Sequence, residues 1–98
     1  MMIWVVEGST GEYDDRRDWT VCAYTSKEAA NDHAEAAKKA ALKISLQLEE
    51  EQPANYYLRR AELCEANKLD PDIMMDRWTG TDYYVYSVEL KDKFVGED

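Results

Sequence analysis

The chain reads as an α+β domain in which a three-stranded antiparallel sheet packs against a helical hairpin, in the order ββααβ. Three observations predict it. β-branched and aromatic runs lie near both ends, a long alanine-rich segment with helical periodicity lies between them, and a proline is placed to open a second helix. With 98 residues there is room for one core. Residues 1–98 are therefore expected to form a single domain, with 91–98 as a loose, polar tail.

Ile3-Trp4-Val5-Val6 followed by Gly8-Ser9-Thr10-Gly11 predicts a first strand at about residues 2–7 and then a turn. Residues 11–18 carry six charges and no periodicity, the mark of a solvated loop. Trp19-Thr20-Val21-Cys22-Ala23-Tyr24 reads as a second strand. The connection is too short for a crossover helix, so the two strands should run antiparallel.

Thr25 precedes Glu28 by three residues, the spacing of a capping box, and an alanine-rich helix follows. Ala30, Ala34, Ala37, Ala41, Ile44 and Leu48 recur at spacings of four and three, which places them on one stripe. That stripe fits against the sheet or the second helix, or alternatively against a copy of itself as an association seam. Glu49-Glu50-Glu51 ends the helix with negative charge where the macrodipole favours positive, which suggests fraying or a partner.

Pro53 suits the first turn of a second helix at about 53–67, with Tyr57, Ala61 and Cys64 or Leu58, Ala61 and Glu65 as its packing face. Asn67 and Asp70-Pro71 end it, and Asp70-Pro71-Asp72 reads as capping and turn formation. A short turn at 72–76 is expected next. Residues 82–90 form the clearest strand, with Tyr84, Tyr86, Val88 and Leu90 on one face.

Twenty-one acidic against twelve basic side chains give a net charge of −9. Such a surface repels nucleic-acid backbones and anionic membranes, so no direct nucleic-acid or membrane contact is expected. No run approaches the roughly 18 apolar residues of a membrane span, and the N-terminal run lacks a basic leader, which reads as a cytoplasmic protein. Cys22 and Cys64 are too distant for a CxxC motif.

His33, the only histidine, has no thiol near it in sequence, and Asp70, Asp72 and Asp76 lack the alternation and the turn glycine of a calcium loop. There is no phosphate-binding loop and no dinucleotide fingerprint. We therefore expect a non-enzymatic protein without metal or cofactor.

Two segments at strand ends gather glycines, hydroxyls and aromatics. One carries Ser9, Thr10, Tyr13, Arg16, Arg17 and Trp19, the other Arg77, Trp78, Thr79, Thr81 and Tyr83. With the last strand antiparallel to the first, the two would converge on one rim, where arginines and aromatic faces suit a planar anion. The plainer alternative is that the glycines and threonines make turns and the aromatics fill the core.

Trp4-Val5-Val6-Glu7-Gly8-Ser9-Thr10-Gly11-Glu12-Tyr13, Asp18-Trp19-Thr20-Val21-Cys22-Ala23-Tyr24 and Thr79-Gly80-Thr81-Asp82-Tyr83 together resemble small, uncharacterised bacteriophage and prophage accessory proteins. The resemblance covers both ends of the chain and hardly the helices. It implies an acidic, non-enzymatic protein that counters host defence inside an infected bacterium.

Two functions follow as expectations. In the first, an acidic surface carrying Asp14, Asp15, Asp18, Glu49, Glu50 and Glu51 binds and blocks a bacterial defence protein, in the anti-CRISPR manner. In the second, an oligomer, as a homodimer or larger, sequesters a nucleotide immune signal at the rim.

Overall fold

The computed structural model describes residues 1–94 and 96; the remainder of the expected tail, Val95, Glu97 and Asp98, lies outside the described residues. The protein is α+β, with a three-stranded antiparallel sheet and two helices. Along the chain run β1 (Met2–Thr10), a single 3-10 turn (Tyr13–Asp15), β2 (Arg17–Tyr24), α1 (Lys27–Glu51), α2 (Tyr56–Glu65) and β3 (Thr81–Glu89).

β1 is the central strand, paired antiparallel with β2 on one side and β3 on the other. Both β1 and β2 extend further into the glycine-rich and charged segments than β propensity indicates. Ladder bonds continue to Thr10↔Arg17 and Thr10↔Thr81, so pairing overrides local composition there. The register between β1 and β2 slips between Val6 and Glu7, which leaves Val21 as the extra residue of a bulge.

α1 begins one residue later than the capping-box spacing indicates. Ser26, and not Thr25, is the N-cap, and its Oγ accepts the Ala29 N–H at 3.2 Å. The six residues of the predicted stripe, Ala30, Ala34, Ala37, Ala41, Ile44 and Leu48, are the buried residues of α1. They meet Val6, Tyr83 and Met75 in the core. Four alanines in succession bring the helix close to the sheet, and the stripe is used inside the chain.

Among the described residues the backbone of α1 lies against all three strands, while that of α2 lies against α1 and against no strand. α2 is also shorter than predicted. Asn55 caps it through its side chain, accepting the Leu58 N–H at 3.1 Å, and Pro53 stands outside the helix. Its inward residues are Tyr56, Leu63 and Cys64, whereas Leu58, Ala61 and Glu65 are exposed. Arg59 of α2 reaches Glu51 at the end of α1 with two bonds, 2.8 and 3.1 Å long. The cation that the α1 macrodipole lacked is thus supplied by the neighbouring helix.

The sheet's second face carries Ile3, Val5, Glu7, Tyr84, Tyr86 and Val88, and no helix among the described residues covers it. The residues of β3 that join the core are Tyr83 and Val85. Among the described residues no helix is long and apolar enough to cross a membrane.

Candidate anion-binding cleft

Thr10 at the end of β1 brings the two predicted rim segments together. Its hydroxyl donates to the Gly80 carbonyl and accepts the Asp76 N–H at 2.7 Å. One residue on, the Gly11 N–H donates to Thr79 Oγ1 at 3.0 Å. Gly11 has φ +84°, and a Cβ there would lie 2.4 Å from the Asp15 carbonyl oxygen, so only glycine makes this corner. Thr81 Oγ1 donates to the Met74 carbonyl at 2.6 Å. The threonines are therefore staples of the rim rather than open ligand contacts.

The Asp76 carboxylate accepts the N–H groups of Trp78 and Thr79 at 2.8 and 3.0 Å, and those bonds hold its pKa below the usual carboxylate value. This turn projects Arg77 and Trp78 outward. Beneath them opens a cleft of about 650 Å³ between the end of β1, the start of β2, α2 and residues 73–78. The volume is that of small-molecule sites.

Three arginines line the cleft: Arg17 from β2, Arg60 from α2 and Arg77 from the turn. Among the described residues none of them has a carboxylate within 4 Å. Aromatic rings hold two of the guanidinium groups in place. Arg77 lies 4.4 Å from the Tyr56 ring centroid and 5.3 Å from that of Trp78, and Arg60 lies 5.1 Å from that of Tyr57. Arg60 also donates to the Met75 carbonyl at 2.7 Å, which anchors α2 to the turn. Trp78 is 85% exposed, and the ring face away from Arg77 is open to a ligand. Asp15 and Asp76 are the acids in the lining.

The other rim residues lie elsewhere. Arg16 pairs with Asp18 at 3.3 Å. The Asp18 carboxyl is held below its usual pKa by the Ser9 hydroxyl and then by Arg16. Tyr13 is 94% exposed in a left-handed backbone conformation, φ 51°.

Tyr83 belongs to the core, and the half-buried Trp19 packs on it edge to face. The Trp19 Nε1–H and the Tyr83 hydroxyl both donate to Asp70 Oδ2, at 2.9 and 2.7 Å. Asp70 opens the turn expected at Asp70-Pro71-Asp72, its carbonyl accepting the Ile73 N–H at 3.2 Å, and it is wholly buried. Of the predicted rim, Thr10, Arg17, Arg77 and Trp78 meet in the cleft. Arg60 and Tyr57 were missed because α2 had been assigned no role in the rim; the signal was Tyr56-Tyr57 three residues ahead of an arginine pair.

The six acids proposed as a partner surface stand on separate elements. Asp14 and Asp15 are in the 3-10 turn, Asp18 is in β2, and Glu49, Glu50 and Glu51 are at the end of α1. Asp18 and Glu51 are in ion pairs, and Asp15 lines the arginine cleft.

His33 does find a thiol in three dimensions, with Cys22 Sγ 3.6 Å from Nδ1. That nitrogen already accepts the Tyr24 hydroxyl at 2.7 Å, while Nε2–H donates to the Leu69 carbonyl at 2.7 Å. Burial pushes the Cys22 thiol above its ordinary pKa. Among the described residues no group of three or more His, Cys, Asp or Glu could hold a metal ion. No protein-family model, no curated protein and no solved structure matches the chain.

Proposed function

We propose that the protein is a non-enzymatic binding protein that captures a small, planar, phosphate-bearing ligand of the nucleotide class in the arginine cleft. The observation that carries this reading is the gathering of Arg17, Arg60 and Arg77, without carboxylate partners within 4 Å among the described residues, in a chain of net charge −9. The arginine forks suit phosphate oxygens, and the exposed Trp78 face suits a base. The resemblance to phage accessory proteins supplies the setting. The captured ligand would be a host immune nucleotide, sequestered in the cytoplasm of an infected bacterium.

Isothermal titration with inorganic pyrophosphate, adenosine monophosphate, cyclic oligonucleotides and cyclic ADP-ribose isomers tests the reading. At least one should give a saturable heat at micromolar concentration, and Arg77→Ala should weaken it about tenfold or more, or about 1.4 kcal/mol. A panel that gives no heat at all defeats the proposal.

A second reading is favoured by the excess charge itself. Asp14, Glu49 and Glu50 are exposed and, among the described residues, have no cation within 4 Å. They suit the basic, nucleic-acid-binding surface of a defence protein, as an anti-CRISPR-like inhibitor would. Reversal of these three charges should abolish inhibition in a phage-restriction assay. Undiminished inhibition would remove its basis.

A further inference from the structure

Helix α1 carries a second seam on the side opposite its buried stripe. Glu35, Lys39, Leu42, Leu46 and Glu49 follow one another at spacings of four, three, four and three residues. This is the pattern by which one helix faces another. At about 100° per residue the seam lies roughly half a turn away from Ala37, Ala41 and Leu48. Leu42 and Leu46 are 59% and 54% exposed, where a solvated helix face ordinarily carries polar residues. They lie in a shallow groove lined by α1 residues alone, flanked by Lys39, Lys43 and Glu50.

We propose that this seam is the contact between two copies of the chain, with their α1 helices antiparallel about a two-fold axis near residue 44. Charge selects both the partner and the direction. In the antiparallel arrangement Leu42 of one copy faces Leu46 of the other, and Lys39 faces Glu49. Both pairs are centred on residue 44, so one axis serves them together and each occurs twice. A parallel pair would instead place Lys39 on Lys39 and Glu49 on Glu49, which repel.

Within one copy, among the described residues, Lys39 pairs with Glu35 alone, at 3.6 Å, with both side chains more than two-thirds exposed. Such a bridge is weak, so Lys39 can turn to the second copy at little cost. Two heptads bury less than the roughly 1,600 Å² of a standard interface, so the dimer forms in a concentration-dependent manner. The arginine cleft shares no lining residue with this face, and the inference stands apart from the ligand reading.

Sedimentation velocity of the full chain over a concentration series tests it. The mass should rise from the 11.4 kDa protomer toward twice that value. Lys39→Glu and Glu49→Lys should each move the association midpoint about tenfold or more to higher concentration, and the double variant Lys39→Glu/Glu49→Lys should restore it. Circular dichroism melts check that the variants fold, which both exposed positions permit. A monomer at every concentration overturns the proposal. So does a dimer indifferent to the single swaps, or a double variant no better than the singles.

Discussion

Trp19 closes over Gly8. A Cβ at residue 8 would stand 2.4 Å from Cε2 of the indole ring. Gly8 pairs with Trp19 on β2 and with Tyr83 on β3, and the missing side chain lets the two rings meet edge to face across the central strand, with centroids 6.5 Å apart. Both rings donate to the same oxygen of Asp70. Gly8→Ala should therefore displace Trp19, strain that bond and destabilise the fold by about 3 kcal/mol. Urea unfolding measures it. An unchanged midpoint would mean that the indole has room to yield.

Tyr83 links stability to alkaline pH. Burial, and then the bond to Asp70, hold its phenol well above the ordinary tyrosine pKa. The folded state keeps a proton that the unfolded chain releases near pH 10. The stabilisation is complete below that pH and is lost as pH rises toward the folded value. Tyr83→Phe should cost about 1–3 kcal/mol at neutral pH, because it takes a donor away from a buried acceptor of Asp70. It should also flatten the decline in thermal midpoint above pH 10. A wild-type profile with no alkaline decline would contradict the assignment.

Thr10 and Trp78 separate the structure of the cleft from its binding surface. Thr10→Val removes both the bond to Gly80 and the acceptor for the Asp76 N–H. Stability should fall by about 1–3 kcal/mol, and ligand affinity should fall with it. Trp78→Ala, at an exposed ring, should leave the urea midpoint unchanged and lower affinity alone. Loss of stability without loss of affinity in Thr10→Val would show that the turn does not form the site.

Ala37 is fully buried between α1 and the sheet. Ala37→Leu forces the helix away from β1 and β3 and should destabilise by about 1–3 kcal/mol or more. The same change at Ala36, which is only half-buried, should be much milder. Parallel thermal melts of the two variants give the comparison.

Much of the architecture was legible because period and composition agreed. The alanine stripe and the β-branched centres of the strands follow from spacing that a reader can count. Boundaries were less legible. Thr25 and Ser26 are both competent caps, and Ser26 prevails through its bond to the Ala29 N–H. Pro53 suited a helix start as well as Asn55 did, and Asn55 prevails through its bond to the Leu58 N–H. The exposure of Tyr84, Tyr86 and Val88 was hidden because alternation separates two faces without stating which one is covered.

What the amino-acid order determined by itself is local: which segments become strand or helix, which face of α1 is apolar, and the excess of negative charge. The tertiary structure alone decided which distant residues meet. Asp70 opens the turn with its carbonyl, which accepts the Ile73 N–H at 3.2 Å, while its carboxylate lies inside, where Trp19 and Tyr83, from the two edge strands, reach it together. Arg17, Arg60 and Arg77 become one cleft because a strand, a helix and a turn converge at the end of β1. Periodicity reports how a residue faces its own helix or strand. Burial and electrostatics depend on neighbours brought from elsewhere in the chain, and no local spacing encodes them.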